Sequence, residues 1–164
     1  MLGYDVSERT VSRYLPKRPP DEDKFRQWKT FLENHRNSIA AMDLFTIPLA
    51  TFRVLYALVI IHHGRRVLLH GNVSFNPTAL WVVQQLREAF PFDTAPRYLI
   101  FDRDSTFSAQ VVATIKSFGI EPVRTSWYSP WQNGVVERWT GSCRRELLRP
   151  CHRLQRASCD KAAA

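Results

Sequence analysis

The chain is poor in cysteine, with three in 164 residues, and Cys143, Cys151 and Cys159 form no CxxC pair. A disulfide framework and a zinc knuckle are therefore not indicated, and a reducing cytosol fits. Cys151-His152 has no second close pair to complete a zinc site. The opening MLGYDVSERT lacks the apolar core of a signal peptide. No uninterrupted membrane span is present either. The longest apolar run, Leu44 to Ile61, holds Pro48 and Arg53 and is rich in β-branched and aromatic residues. It reads as two adjacent buried strands, and no membrane partner is expected. Internal repeats are absent, and the only low-complexity tract is Ala162-Ala163-Ala164.

Acidic residues are outnumbered, 15 Asp+Glu against 23 Lys+Arg, for a net charge of +8. Such a surplus favours a polyanionic partner, nucleic acid first, although a merely soluble basic protein has the same sum. The charge is concentrated late. Residues 138–164 carry seven Lys+Arg against Glu146 and Asp160, a local balance of +5. With 45% hydrophobic residues, a chain of this length can bury the core of one compact domain.

Periodicity supplies the elements. Ser7 caps a short predicted helix that Pro16 closes, and Pro16, Pro19 and Pro20 form a linker. A charged helix follows from Asp21 to about Arg36, with Phe25, Trp28 and Phe31 as an aromatic packing stripe. Ser38–Ile47, Thr51–His62 and Arg66–Leu69 read as three antiparallel strands, the last two joined by a His63-Gly64-Arg65 turn. His62 and His63 read as strand-end residues. Asn76-Pro77 is expected to start a helix with Ala79, Val83, Leu86 and Phe90 on its inner face. A strand, Arg97–Phe101, precedes a helix with Phe107, Val111, Ile115 and Phe118 inward and Gly119 at its stop. The strand Ile120–Thr125 and a helix from about Val135 to Leu148 complete the order β-β-β-α-β-α-β-α. That order implies an α/β fold: a mixed sheet of three antiparallel strands, then alternating helices and strands, with helices on both faces.

Three acids are candidates for chemistry, and the first does not suit the core. Asp43 interrupts Ile39-Ala40-Ala41-Met42-Asp43-Leu44-Phe45, where a charge is costly unless paired or bound to a cation. Asp102 ends the strand Tyr98–Phe101, a usual place for a site, though a turn or cap role is equally open. Glu137, taken alone, is an ordinary helix-start acid. Together the three could converge as hard oxygen ligands for Mg²⁺ or Mn²⁺. Two such ions about 3.5–4 Å apart would activate an attacking oxygen and stabilise a leaving one in phosphoryl displacement.

The segments Met42-Asp43-Leu44-Phe45-Thr46, Phe101-Asp102-Arg103-Asp104-Ser105-Thr106-Phe107 and Ser129-Pro130-Trp131-Gln132-Asn133-Gly134-Val135-Val136-Glu137-Arg138 resemble the retroviral-type integrase core of bacterial insertion-sequence transposases. The third is the most specific, and the resemblance covers roughly residues 22–148. It implies an RNase H-like fold for a core spanning 21–148, with Asp43, Asp102 and Glu137 as the acidic, metal-binding triad. It also implies two Mg²⁺ (or Mn²⁺) ions and DNA strand cleavage and transfer. Mobile-element ends and target DNA would be the substrates, a homo-oligomer the working form, and the bacterial cytoplasm, at the nucleoid, the location. Thirty-four residues separate Asp102 from Glu137, which suits the family's spacing, whereas Asp104 would leave thirty-two. Asp104, where the family commonly has glycine, is read as a helix cap or an auxiliary ligand, the cap preferred.

DNA contacts are expected from Arg138, Arg144 and Arg145 on the last helix, and from Asn133. In the loop before it, Trp127, Tyr128 and Trp131 suit either stacking on a distorted DNA end or burial. Residues 6–15 resemble the recognition helix of a helix-turn-helix, so 1–20 reads as its remnant plus linker. The basic tail 149–164 departs from the family and reads as disordered or truncated. The alternatives are a truncated remnant that only binds DNA and a nuclease that only hydrolyses.

Overall fold

The computed structural model describes residues 21–49, 51–91, 94–127 and 129–146. The Ser7-capped helix, the proline linker, Tyr128 and the tail 149–164 lie outside the described residues. Helix α1 (Glu22–His35) is capped by Asp21, whose carboxylate accepts from the Asp23 and Lys24 amides. A short 3₁₀ turn, Arg36–Ser38, leads into strand β1 (Ile39–Pro48). Then come β2 (Val54–His62), β3 (Leu68–Ser74), α2 (Ala79–Ala89), β4 (Tyr98–Phe101), α3 (Ala109–Ser117) and β5 (Glu121–Arg124). After a 3₁₀ turn, Pro130–Asn133, helix α4 occupies 134–146.

The five strands lie in the order β3-β2-β1-β4-β5. The first three pair antiparallel, and β4 runs parallel to both β1 and β5. The expected mixed sheet is thus observed, with helices on both faces. Alternation along β1 divides the core in two, because successive side chains point to opposite sides of a strand. Ala40 and Met42 join Leu58, Ile60, Val82, Leu86, Val111 and Ile115 beneath α2 and α3. Ile39, Ala41 and Phe45 join Val59, Ile61, Ile100 and Val136 on the other side, with Trp28 and Phe31 of α1 packed against them. Among the described residues no helix is long and apolar enough to cross a membrane.

Two local expectations are corrected, and two turns hold. Strand β3 runs on to Ser74, because His70 and Asn72, polar in the sequence, turn to Gln85 of α2 and bond its buried Oε1 at 2.8 and 2.7 Å. Helix α2 is capped by Thr78, whose Oγ1 accepts from the Trp81 amide, and not by Asn76. In the β2–β3 connection, a Cβ on Gly64 would lie 2.8 Å from the Arg36 carbonyl oxygen, so this turn needs glycine for close approach. Gly119 does stop α3, with φ +73°.

Candidate metal and nucleic-acid site

The parallel register of β1 and β4 sets two acids side by side. Ala41 pairs with Ile100, and two residues further along each strand stand Asp43 and Asp102. Asp102 leaves the sheet in a tight loop: its Oδ1 accepts from the Asp104 amide at 3.0 Å, and the Asp104 carboxylate accepts from the Thr106 amide at 2.7 Å. The loop ends on Phe107, which is 1% exposed and packs edge-on against Phe101. Asp104 is therefore a turn residue; the N-cap position of α3 is Ser108.

Glu137 comes from α4. The start of that helix is held to the sheet by Asn133, whose Nδ2 donates to the Met42 carbonyl at 3.3 Å, one residue before Asp43. Gln132 Oε1 accepts from the Ser126 amide and folds the preceding loop onto the same end. Asp43, Asp102 and Glu137 consequently line one cleft of about 290 Å³, with Arg103, Thr125, Ser126, Trp127, Ser129 and Asn133.

All three carboxyls are shifted above their ordinary pKa. For Asp43 the main cause is burial, followed by the negative charge of Asp102, with the Leu44 amide and Arg144 acting the other way. For Asp102 it is again burial, opposed by the hydrogen bond from the Asp104 amide. Glu137 stands at the exposed rim, and there loss of solvent comes first, then the charges of Asp43 and Asp102. Mutual repulsion of this kind is what a divalent cation relieves, and carboxylate oxygens are the donors Mg²⁺ and Mn²⁺ prefer. The donor set fits in chemistry, and its three members line one cleft. The side chains surround the cleft more widely than a closed ligand shell: among the described residues no three His, Cys, Asp or Glu side chains are close enough to hold an ion as they stand.

The residues expected to meet DNA separate into groups. Asn133 is 5% exposed, so its amide positions β1 and is not a free contact. Trp131 packs its ring 5.2 Å from Phe25 of α1 and does not line the cleft. Trp127 does line it, and is 72% exposed. Arg138, Arg144 and Arg145 are exposed on α4. Of these, Arg144 lies 5.4 Å over the Phe45 ring and acts on Asp43, while Arg145 bonds Ser142 at 3.0 Å. Sequence reasoning passed over Arg103, which lines the cleft and whose signal was its place directly after Asp102.

No family model matches the chain, and no curated protein does either. Solved structures do. A chain of the simian T-cell lymphotropic virus intasome, in complex with the PP2A regulatory subunit B56 gamma, matches with a TM-score of 0.58 at 18% identity over 64% of this chain. The HTLV-2 integrase catalytic core domain in complex with magnesium, in its trimeric form, matches at 0.53 and 16% over 64%. The BIV integrase catalytic core matches at 0.54 and 21%, over 69% of this chain and 70% of that one. The chain spans only 37% of the first of these and 65% of the second. The fold is that of a retroviral-type integrase catalytic core, the RNase H-like α/β arrangement.

Proposed function

We propose that this chain is the catalytic core of a DNA transposase or integrase, with Asp43, Asp102 and Glu137 as ligands for two divalent cations. The observation that carries the reading is that carboxylates from β1, from the end of β4 and from α4 line one cleft in a basic protein. Bound there, Mg²⁺ or Mn²⁺ would activate the attacking oxygen and stabilise the leaving one. The protein's own contribution is placement. Asp43 is fixed by the hydrogen-bonded centre of the sheet, Asp102 by its turn, and Glu137 by the Asn133 clamp. Arg144, beside Asp43, is suited to hold a DNA phosphate against the site. Strand cleavage uses water and strand transfer uses a DNA 3′ hydroxyl, the displacement being otherwise the same.

DNA ends and target DNA are the proposed substrates, and a second copy the proposed partner. An HTLV-2 core of this fold has been solved in dimeric and in trimeric form, which supports the latter. The test is Mn²⁺- or Mg²⁺-dependent nicking of plasmid DNA and joining of labelled oligonucleotides, with Asp43→Asn as control. Nicking and joining by the native chain alone is the expected result. Equal, background products from both, with DNA binding intact, would leave a protein that only binds DNA.

A further inference from the structure

Ile39 pairs with Tyr98, so β1 and β4 begin together, each four residues before its carboxylate, Asp43 or Asp102. At about 3.3 Å per residue, that end of the sheet lies roughly 13 Å from the acids. Arg36 leads into β1 and Arg97 into β4. The β2–β3 turn, His62-His63-Gly64-Arg65-Arg66, folds against the same end. His63 N donates to the Ile39 carbonyl at 2.9 Å, and Arg36 Nη2 reaches the Gly64 carbonyl at 3.5 Å. Arg36, Arg65, Arg66 and Arg97 are all exposed. Among the described residues none of the four takes part in an ion pair, and Glu33, one turn before Arg36, lies 3.8 Å from Lys29.

Two features show that these cations are gathered against local preference. His63, set among them, has its pKa lowered by burial first and then by Arg36, Arg66 and His62, so the positive charges act on one another. Arg66 has φ +56°, in the left-handed region that glycine or asparagine takes more readily. A turn that would form more easily with glycine at that position carries an arginine instead. The patch is the counterpart of the carboxylate cleft: like charges held together, whose repulsion a partner of opposite sign relieves. Guanidinium forks match phosphate oxygens, and a duplex backbone presents a row of them to several arginines at once.

Resting on the proposed function for the choice of partner, we infer that Arg36, Arg65, Arg66 and Arg97 form a second DNA-binding surface. It holds the phosphate backbone of a duplex segment outside the carboxylate cleft. Phosphate contacts carry no sequence information, so the surface holds DNA of any sequence.

Fluorescence anisotropy of the whole chain with a long labelled duplex, repeated across salt concentrations, tests this without requiring turnover. Each phosphate contact contributes about 0.9 to the slope of log affinity against log salt. Arg65→Ala/Arg66→Gly should lower that slope by about two and weaken binding by about tenfold near physiological salt. Glycine suits the left-handed turn, and circular dichroism establishes that the variant folds. Arg87→Ala/Lys116→Ala removes the same charge from exposed positions of α2 and α3 and should change the slope by less than about half a contact. Equal effects in the two variants, or a native slope kept by the first, would overturn the inference. Loss of polyglutamate binding by the first variant with DNA binding intact would also overturn it, by giving the patch to an acidic protein. Absence of DNA binding by the native chain would overturn both the inference and the proposed function. Lack of nicking by a native chain that shows the slope difference would count against the proposed function alone.

Discussion

Strand β1 passes through two environments. From Ile39 to Met42 its side chains are at most 1% exposed and are covered by helices on both sides. One residue later Asp43 faces two other carboxylates across a cleft, with its pKa raised by burial and by Asp102. The first region contributes to stability by removing apolar surface from water. The second works against it, because like charges are held together out of bulk solvent. Such local conflict within an otherwise consistent design is the physical mark of a functional site.

Substitutions should separate the two regions. The largest effect belongs to the cleft: Asp102→Asn or Glu137→Gln should lower metal-dependent nicking by roughly a thousandfold or more, as loss of several kcal/mol of charge stabilisation requires. Asp104→Asn, which alters a turn, should stay within a few-fold in the same assay. In the core, Leu86→Ala should cost about 2–5 kcal/mol in denaturant unfolding, because that side chain is 0% exposed, and should leave metal affinity unchanged. Gly64→Ala should cost about 1–3 kcal/mol by forcing a Cβ against the Arg36 carbonyl. Asn133→Ala joins the regions. Loss of its bond to Met42 should cost on the order of 1 kcal/mol and also weaken Mn²⁺ binding, measured by calorimetry.

The apolar parts of the fold were legible because burial leaves a period in the sequence. The unbroken apolar run Ile39–Met42 and the helical spacing of Val111 and Ile115 both reappear as core positions. What escaped was polar structure satisfied at long range. His70 and Asn72 look like loop residues until Gln85 of α2 is placed above them. Asn133 has the composition of a DNA contact, yet its partner is a carbonyl 91 residues away in sequence. Of the three acids only Asp43 is a misfit on its own, and their meeting in one cleft depends on the β1–β4 register, which no local pattern records. Trp127 and Trp131 share one loop and differ only in what faces them.

Thermal unfolding of the native chain and of Asp43→Asn, across pH and with or without Mg²⁺, tests the central claim most directly. A carboxyl whose pKa is raised in the folded state binds more protons there than when unfolded, so stability falls as pH rises through the folded pKa. Without metal the two proteins should therefore converge in acid. On the alkaline side of that range the Asn variant should be the more stable, by about 3 °C if relief of repulsion is on the order of 1 kcal/mol. Mg²⁺ should then raise the unfolding temperature of the native chain and leave the variant nearly unmoved. An equal rise in both, or a native chain as stable as the variant above neutrality without metal, would contradict a metal site built on Asp43.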